Sequence, residues 1–180
     1  LISPSFPPPT TLLTPLSAAV GDLLGSGEET AQFVAAMNIR AEELSLHSLS
    51  FHNPTGLDRS STQAGAYGSA RDVSFLMEYI LEQYPDLLIS TTRPSDRIFN
   101  TSGAYHDAEN TNAIVSEIPN LLGSKTGYTE LAGGNLTVAF DAGYNRPIIV
   151  TVLGSTRSGR FSDVTTLIEA ATRIVVTEQE

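Results

Sequence analysis

Cysteine is missing from all 180 residues, which excludes disulfide bridges and thiolate metal sites without assigning a compartment. Tryptophan is absent too, and lysine nearly so, with Lys125 the only one. Positive charge is scarce: 10 Lys and Arg face 20 Asp and Glu. The resulting net charge of -10 argues against nucleic acid or an anionic membrane as a main partner. No apolar run is long enough to cross a bilayer. There is no initiator Met and no signal peptide, so a chain opening at Leu1 is expected to be a fragment. His47, His52 and His106 lack metal-ligand spacing, so neither a metal nor a cofactor is expected, and His52 reads as a turn residue. The acidic residues read as a solvated surface. Gly133-Gly134 does not open a helix after a strand and is no nucleotide loop.

What is present fits one domain or a large part of one, with an ordinary 41% hydrophobic content. Residues 1–15, with three consecutive prolines, read as an extended, weakly ordered arm. Helical pattern starts near Leu16 and breaks at Gly25-Ser26-Gly27, after which Ser26 and Glu29 fit a capping box. The next helix puts Phe33, Met37, Ala41 and Leu44 on one stripe. A short strand-like segment leads into the turn Asn53-Pro54-Thr55-Gly56, and residues 58–68 read as loop. Ser69 and Asp72 start a helix striped by Val73, Leu76, Ile80 and Tyr84 and ended by Pro85. Residues 90–120 are mixed, with short strands near 97–100 and a loop through Asn110. Strands over 135–140 and 148–153 form an antiparallel hairpin. Val164, Leu167, Ile168, Ala171, Ile174 and Val175 make a helix able to cover the sheet. The fold class is therefore α+β.

The chain is organised around residues 121–140. An apolar run meets Lys125-Thr126-Gly127, and Ala132-Gly133-Gly134 then leads into a strand in which Leu136, Val138 and Phe140 alternate with Thr137 and Ala139. An ammonium, a hydroxyl and a residue without Cβ in a row on a strand edge form a cradle for an anion.

Gly-Ser-Lys-Thr-Gly-Tyr-Thr followed by Ala-Gly-Gly-Asn-Leu resembles the third motif of the penicillin-binding serine hydrolases, most closely the D-alanyl-D-alanine carboxypeptidases. Residues 51–58, the start of the helix at Ser69-Ala70-Arg71-Asp72, Asn110-Thr111-Asn112 and Arg160-Phe161 follow in that family's order, so the likeness runs from Leu16 to Val176. It implies part of a β-lactamase/transpeptidase-like domain: an antiparallel sheet flanked by helices, without its N-terminal strands and nucleophile helix. Residues 16–180 are then a partial catalytic domain behind a 1–15 arm that does not resemble the family. Read two bases later, the codons allowed by residues 7–15 permit Ser-Ala-Asn-Asp-Ala-Ala-Asp-Ala, the family's second motif. Residues 1–15 are accordingly expected to be frame-shifted, or else a natural linker.

The resemblance implies attack by a serine on the amide between two terminal D-alanines of a peptidoglycan stem peptide, through an acyl-enzyme. It implies an extracytoplasmic bacterial protein of cell-wall synthesis and cell shape, with β-lactams as ligands of the full-length form. Lys125 would complete the proton network and attract the substrate carboxylate. Thr126 would hydrogen-bond that carboxylate or the carbonyl, Gly127 would let the substrate pair with the strand, and the Tyr128 or Thr129 N–H would serve the oxyanion. Arg160 would hold the terminal carboxylate bidentately, with Arg157 the competing candidate. Asn110 and Asn112 would fix a loop. No Ser-x-x-Lys occurs, because Ser124 adjoins the only lysine, so these residues alone are expected to be inactive. A non-catalytic muropeptide-binding relative, or a β-lactamase or endopeptidase on the same scaffold, are the alternatives.

Overall fold

Helix starts earlier than the three prolines predict. In the computed structural model, which describes residues 9–24, 28–143 and 145–177, helix α1 spans Pro9–Leu24. Proline is tolerated in a first helical turn, and the leucines that follow are strong helix formers. Pro15 has no N–H to donate to the Thr11 carbonyl one turn back. The expected extended arm is thus helical from Pro9, while residues 1–8 lie outside the described residues. So does Ser26, and with it the proposed capping box.

The chain divides into two units, residues 1–72 and 73–180. In the first, α1 packs on α2, which spans Glu29–Glu43. Glu28 stands at the α2 N-cap without a side-chain hydrogen bond. Of the expected stripe only Ala41 is fully buried, with Phe33, Met37 and Leu44 half-buried. The helix ends with Ser45 left-handed at φ 59° and Leu46 N–H donating to the Ala41 carbonyl, the wrap that usually selects glycine. Strand β1 (Ser50–Phe51) pairs antiparallel with β2 (Ala66–Tyr67), two residues that the loop expectation missed. Asn38 joins α2 to β1, accepting from Phe51 N–H and donating to Phe51 O, each at 2.8 Å. The predicted turn is closed by Asn53, whose Oδ1 accepts from the Thr55 and Gly56 N–H groups. His52 meets the Tyr67 ring edge-on.

Helix α3 spans Ala70–Gln83. Met77, outside the expected stripe, is its buried core residue, and Tyr84 is exposed. A 3-10 helix over Pro85–Thr92 leads to β3 (Ser95–Phe99) and β4 (Tyr105–Glu109), an antiparallel hairpin whose second strand the sequence pattern did not predict. The main sheet is antiparallel β5-β6-β7, from Leu121–Thr129, Gly133–Asp141 and Pro147–Ser155. Helix α4, Gly159–Thr177, covers one face. There Leu136, Val138 and Phe140, at most 1% exposed, pack with Val164 and Ile168. The opposite residues of β6 are buried too, with Ala139 against Met77 and Leu88. The alternation correctly marks β6 but not its second covered face. Gly123 belongs to that face: a Cβ there would sit 2.8 Å from Leu88 Cδ1.

Candidate active site

The motif lies on β5, in register with the central strand: Lys125 opposite Thr137, Thr126 opposite Leu136, Gly127 opposite Asn135. Among the described residues β5 has a strand neighbour on one side only, so its other edge presents unpaired backbone. Thr126 is buried and its Oγ1 lies 2.5 Å from Thr111 Oγ1. The Lys125 ammonium turns back onto the strand and donates to the Thr126 carbonyl. Gly127 is not required by its surroundings, since a Cβ there would meet only the Asn135 Cβ, at 3.9 Å.

Helix α4 brings Arg160 to this strand. Its guanidinium donates to the Gly127 carbonyl at 2.6 Å and lies over the Phe161 ring. Arg160 is buried, and its Nε has no hydrogen-bond partner among the described residues. Arg157 points elsewhere, 5.1 Å over the Tyr128 ring, and the Tyr128 hydroxyl donates to Glu130. Of the two arginines, Arg160 is the one hydrogen-bonded to the motif strand. The five residues singled out, Lys125, Thr126, Gly127, Tyr128 and Arg160, thus gather along one strand and the first turn of one helix.

Charge in this cluster is one-sided. Among the described residues no carboxylate lies within ion-pair distance of Lys125 or Arg160. The Lys125 side chain as a whole is open to water, but its tip is crowded where it folds onto the strand. That lost hydration first, and the Arg160 guanidinium second, hold its pKa below the usual lysine value. Arg160 is pulled down likewise, by burial and then by Arg157. Two cations that destabilise each other, without an internal anion, favour an anionic ligand.

The network behind the strand was only partly legible. Asn110 fixes the loop as expected, its Nδ2 donating to the Thr91 and Arg93 carbonyls at 2.9 Å and its Oδ1 accepting from Asn112 N–H. Asn112 is 1% exposed and its Oδ1 accepts from Ile114 N–H. Ser124 reaches the same Thr91, N–H to hydroxyl at 3.0 Å and hydroxyl to carbonyl at 3.2 Å. Thr111, between the two asparagines, is the contact to Thr126 that sequence reasoning passed over.

Comparison with known proteins agrees with this architecture. The family described as D-alanyl-D-alanine carboxypeptidase matches residues 17–157, a span that ends just before Arg160. The chain is 34% identical over 155 residues to the D-alanyl-D-alanine carboxypeptidase DacF of Bacillus subtilis, covering 86% of this chain and 38% of that protein. It is 30% identical over 143 residues to DacD of Escherichia coli, covering 79% of this chain and 34% of the relative. The chain therefore spans well under half the length of these relatives. Its fold superimposes on penicillin-binding protein D2 of Listeria monocytogenes, solved with ampicillin bound, with a TM-score of 0.69 and 28% identity over 85% of this chain and 59% of that one. The family match covers more than half of these residues, and the chain belongs to the D-alanyl-D-alanine carboxypeptidase family.

Proposed function

We propose that the chain supplies the substrate-reading part of a serine-type D-Ala-D-Ala carboxypeptidase. This bacterial hydrolase acts outside the cytoplasm, removes the terminal D-alanine from peptidoglycan stem peptides and so contributes to cell shape. The observation carrying the proposal is the pair of Lys125, on the edge strand, and Arg160, hydrogen-bonded to that strand from α4, with no neighbouring carboxylate among the described residues. A peptide ending in a free acid provides the missing anion. A guanidinium is the group best suited to read it bidentately, and the buried Arg160 Nε has no hydrogen-bond partner among the described residues.

The remaining roles follow from position. The substrate backbone lies along β5 as an added strand, over the open space beside Gly127. Thr126 donates its hydroxyl proton to the ligand, and the Tyr128 or Thr129 N–H receives the oxyanion. In the reaction, a serine oxygen attacks the carbonyl of the D-Ala-D-Ala amide and gives its proton to the base. The C–N bond breaks, D-alanine leaves as the reprotonated amine, and water hydrolyses the ester. Nucleophile and base come from a Ser-x-x-Lys segment, which these 180 residues do not contain. The same site takes β-lactams once that serine is present, in keeping with the ampicillin-bound Listeria protein.

Two measurements test this together. The 180-residue chain is expected to bind an N-acetylated tripeptide ending in D-Ala-D-Ala reversibly, and to take no covalent label from a fluorescent penicillin. A folded chain that ignores the peptide, or one that becomes covalently labelled, overturns the proposal.

A further inference from the structure

Resting on Lys125-Thr126-Gly127 being the carboxylate-reading strand, we propose that Thr111 is a positioning residue that sets the direction in which Thr126 donates its proton. The two hydroxyl oxygens are 2.5 Å apart across 15 residues of sequence. Each hydroxyl has one proton and two lone pairs, so within such a pair one donates and the other accepts. A carboxylate can only accept. Once it takes the Thr126 proton, the Thr126 oxygen must be the acceptor inside the pair, and Thr111 the donor. Thr126 is 9% exposed, so packing holds its heavy atoms and leaves hydroxyl rotation as its main freedom. The proton from Thr111 removes that freedom and aims the Thr126 O–H away from the loop.

The contact is held from both sides. Asn110 anchors the loop before Thr111 on Thr91 and Arg93, and the Asn112 Oδ1 accepts from Ile114 N–H in a turn within the loop after it. Ser124, two residues before Thr126, is tied to the same Thr91 by two hydrogen bonds. Loop and strand thus share one anchor, which keeps the two hydroxyls in register. Thr111 itself is exposed, and its hydroxyl has no second partner among the described residues. The core does not need that hydroxyl; the strand does.

The test is titration of the full 180-residue chain with the acetylated D-Ala-D-Ala tripeptide and with its C-terminal carboxamide. Thr111→Val keeps the shape and removes the donor, and is expected to weaken the acid peptide about fivefold to tenfold while narrowing the preference for acid over carboxamide. Thr111→Ser is expected to restore both. A purely structural loss would lower the melting temperature without moving the acid-to-carboxamide ratio. Should Thr111→Val not fold, Thr111→Ala carries the same expectation. An unchanged ratio in the folded variant overturns the role of Thr111. If Thr126→Val is weakened in that same experiment, the carboxylate strand itself survives. If the wild-type chain binds neither peptide, both proposals fall.

Discussion

At the residue scale, the chemistry concentrates in a few polar contacts whose charge states can be tested one at a time. Because Arg160 disfavours the Lys125 ammonium, its removal relaxes that penalty. A chain carrying isotope-labelled lysine has a single lysine side-chain signal to follow, and in Arg160→Gln the titration of Lys125 is expected to move to higher pH. Binding of the acid-ended peptide falls as pH rises through the depressed Lys125 pKa, where the ammonium loses its proton. In Arg160→Gln that alkaline limb shifts upward while overall affinity drops. A titration midpoint that stays put would show that the two cations do not feel each other. Asp72 gives the opposite sign. The Ser48 hydroxyl and N–H, at 2.7 and 2.8 Å, hold its carboxyl below the usual carboxylate range. A depressed carboxylate contributes stability that is present above its unfolded pKa and lost as pH falls through the folded one. Urea midpoints of Asp72→Asn are therefore expected to lie below wild type at neutral pH, with the gap closing in acid.

At the scale of elements, β6 is where the energy sits. Leu136 is fully buried on the α4 face, and Leu136→Ala is expected to cost about 2–5 kcal/mol of unfolding free energy. Ala139→Leu, which overfills the opposite face, is expected to cost about 1–3 kcal/mol. Leu167→Ala, on the exposed side of α4, should stay within about 0.5 kcal/mol. Equal effects at Leu136 and Leu167 would contradict the packing described. The same element shows what sequence can reveal. Leu136, Val138 and Phe140 announce a strand by their period, whereas the cover over Ala139 comes from Met77 and Leu88, distant residues whose arrival no local pattern encodes. Strand β4 was missed for a related reason. Tyr105-His106-Asp107-Ala108-Glu109 has no β-branched residue, and its pairing is carried by Arg97 directly opposite Asp107, joined at 2.7 and 3.1 Å. The Lys-Thr-Gly strand was readable because its chemistry is local. Thr111 was not, because its purpose is a contact 15 residues away. Proline content misled at α1, where leucines prevailed from Pro9 onward.

At the scale of the whole molecule, apolar and backbone groups remain open. Among the described residues β7 has a strand neighbour on one side only. Phe99, Leu87 and Ile174 are each more than 60% exposed. Ala170 and Ile174 border a hollow on the last turns of α4, roughly 15 to 21 Å along the helix from Arg160 and so no part of the proposed site. Open strand edges and exposed apolar side chains promote association. The 180 residues alone are expected to show a mass by light scattering that grows with concentration, and Leu153→Lys on β7 is expected to reduce it. A monomer at every concentration would mean these surfaces are innocuous. No described helix is long and apolar enough to cross a membrane.

The solitary lysine has a practical corollary. With one side-chain amine in the chain, and that amine more readily deprotonated than usual, a mild acylating reagent has a single internal address. A dye coupled at Lys125 would sit on the β5 edge strand itself. Protection of that position by a bound peptide, read by peptide-level mass spectrometry as unmodified Lys125, would turn occupancy of the strand into a direct count of molecules.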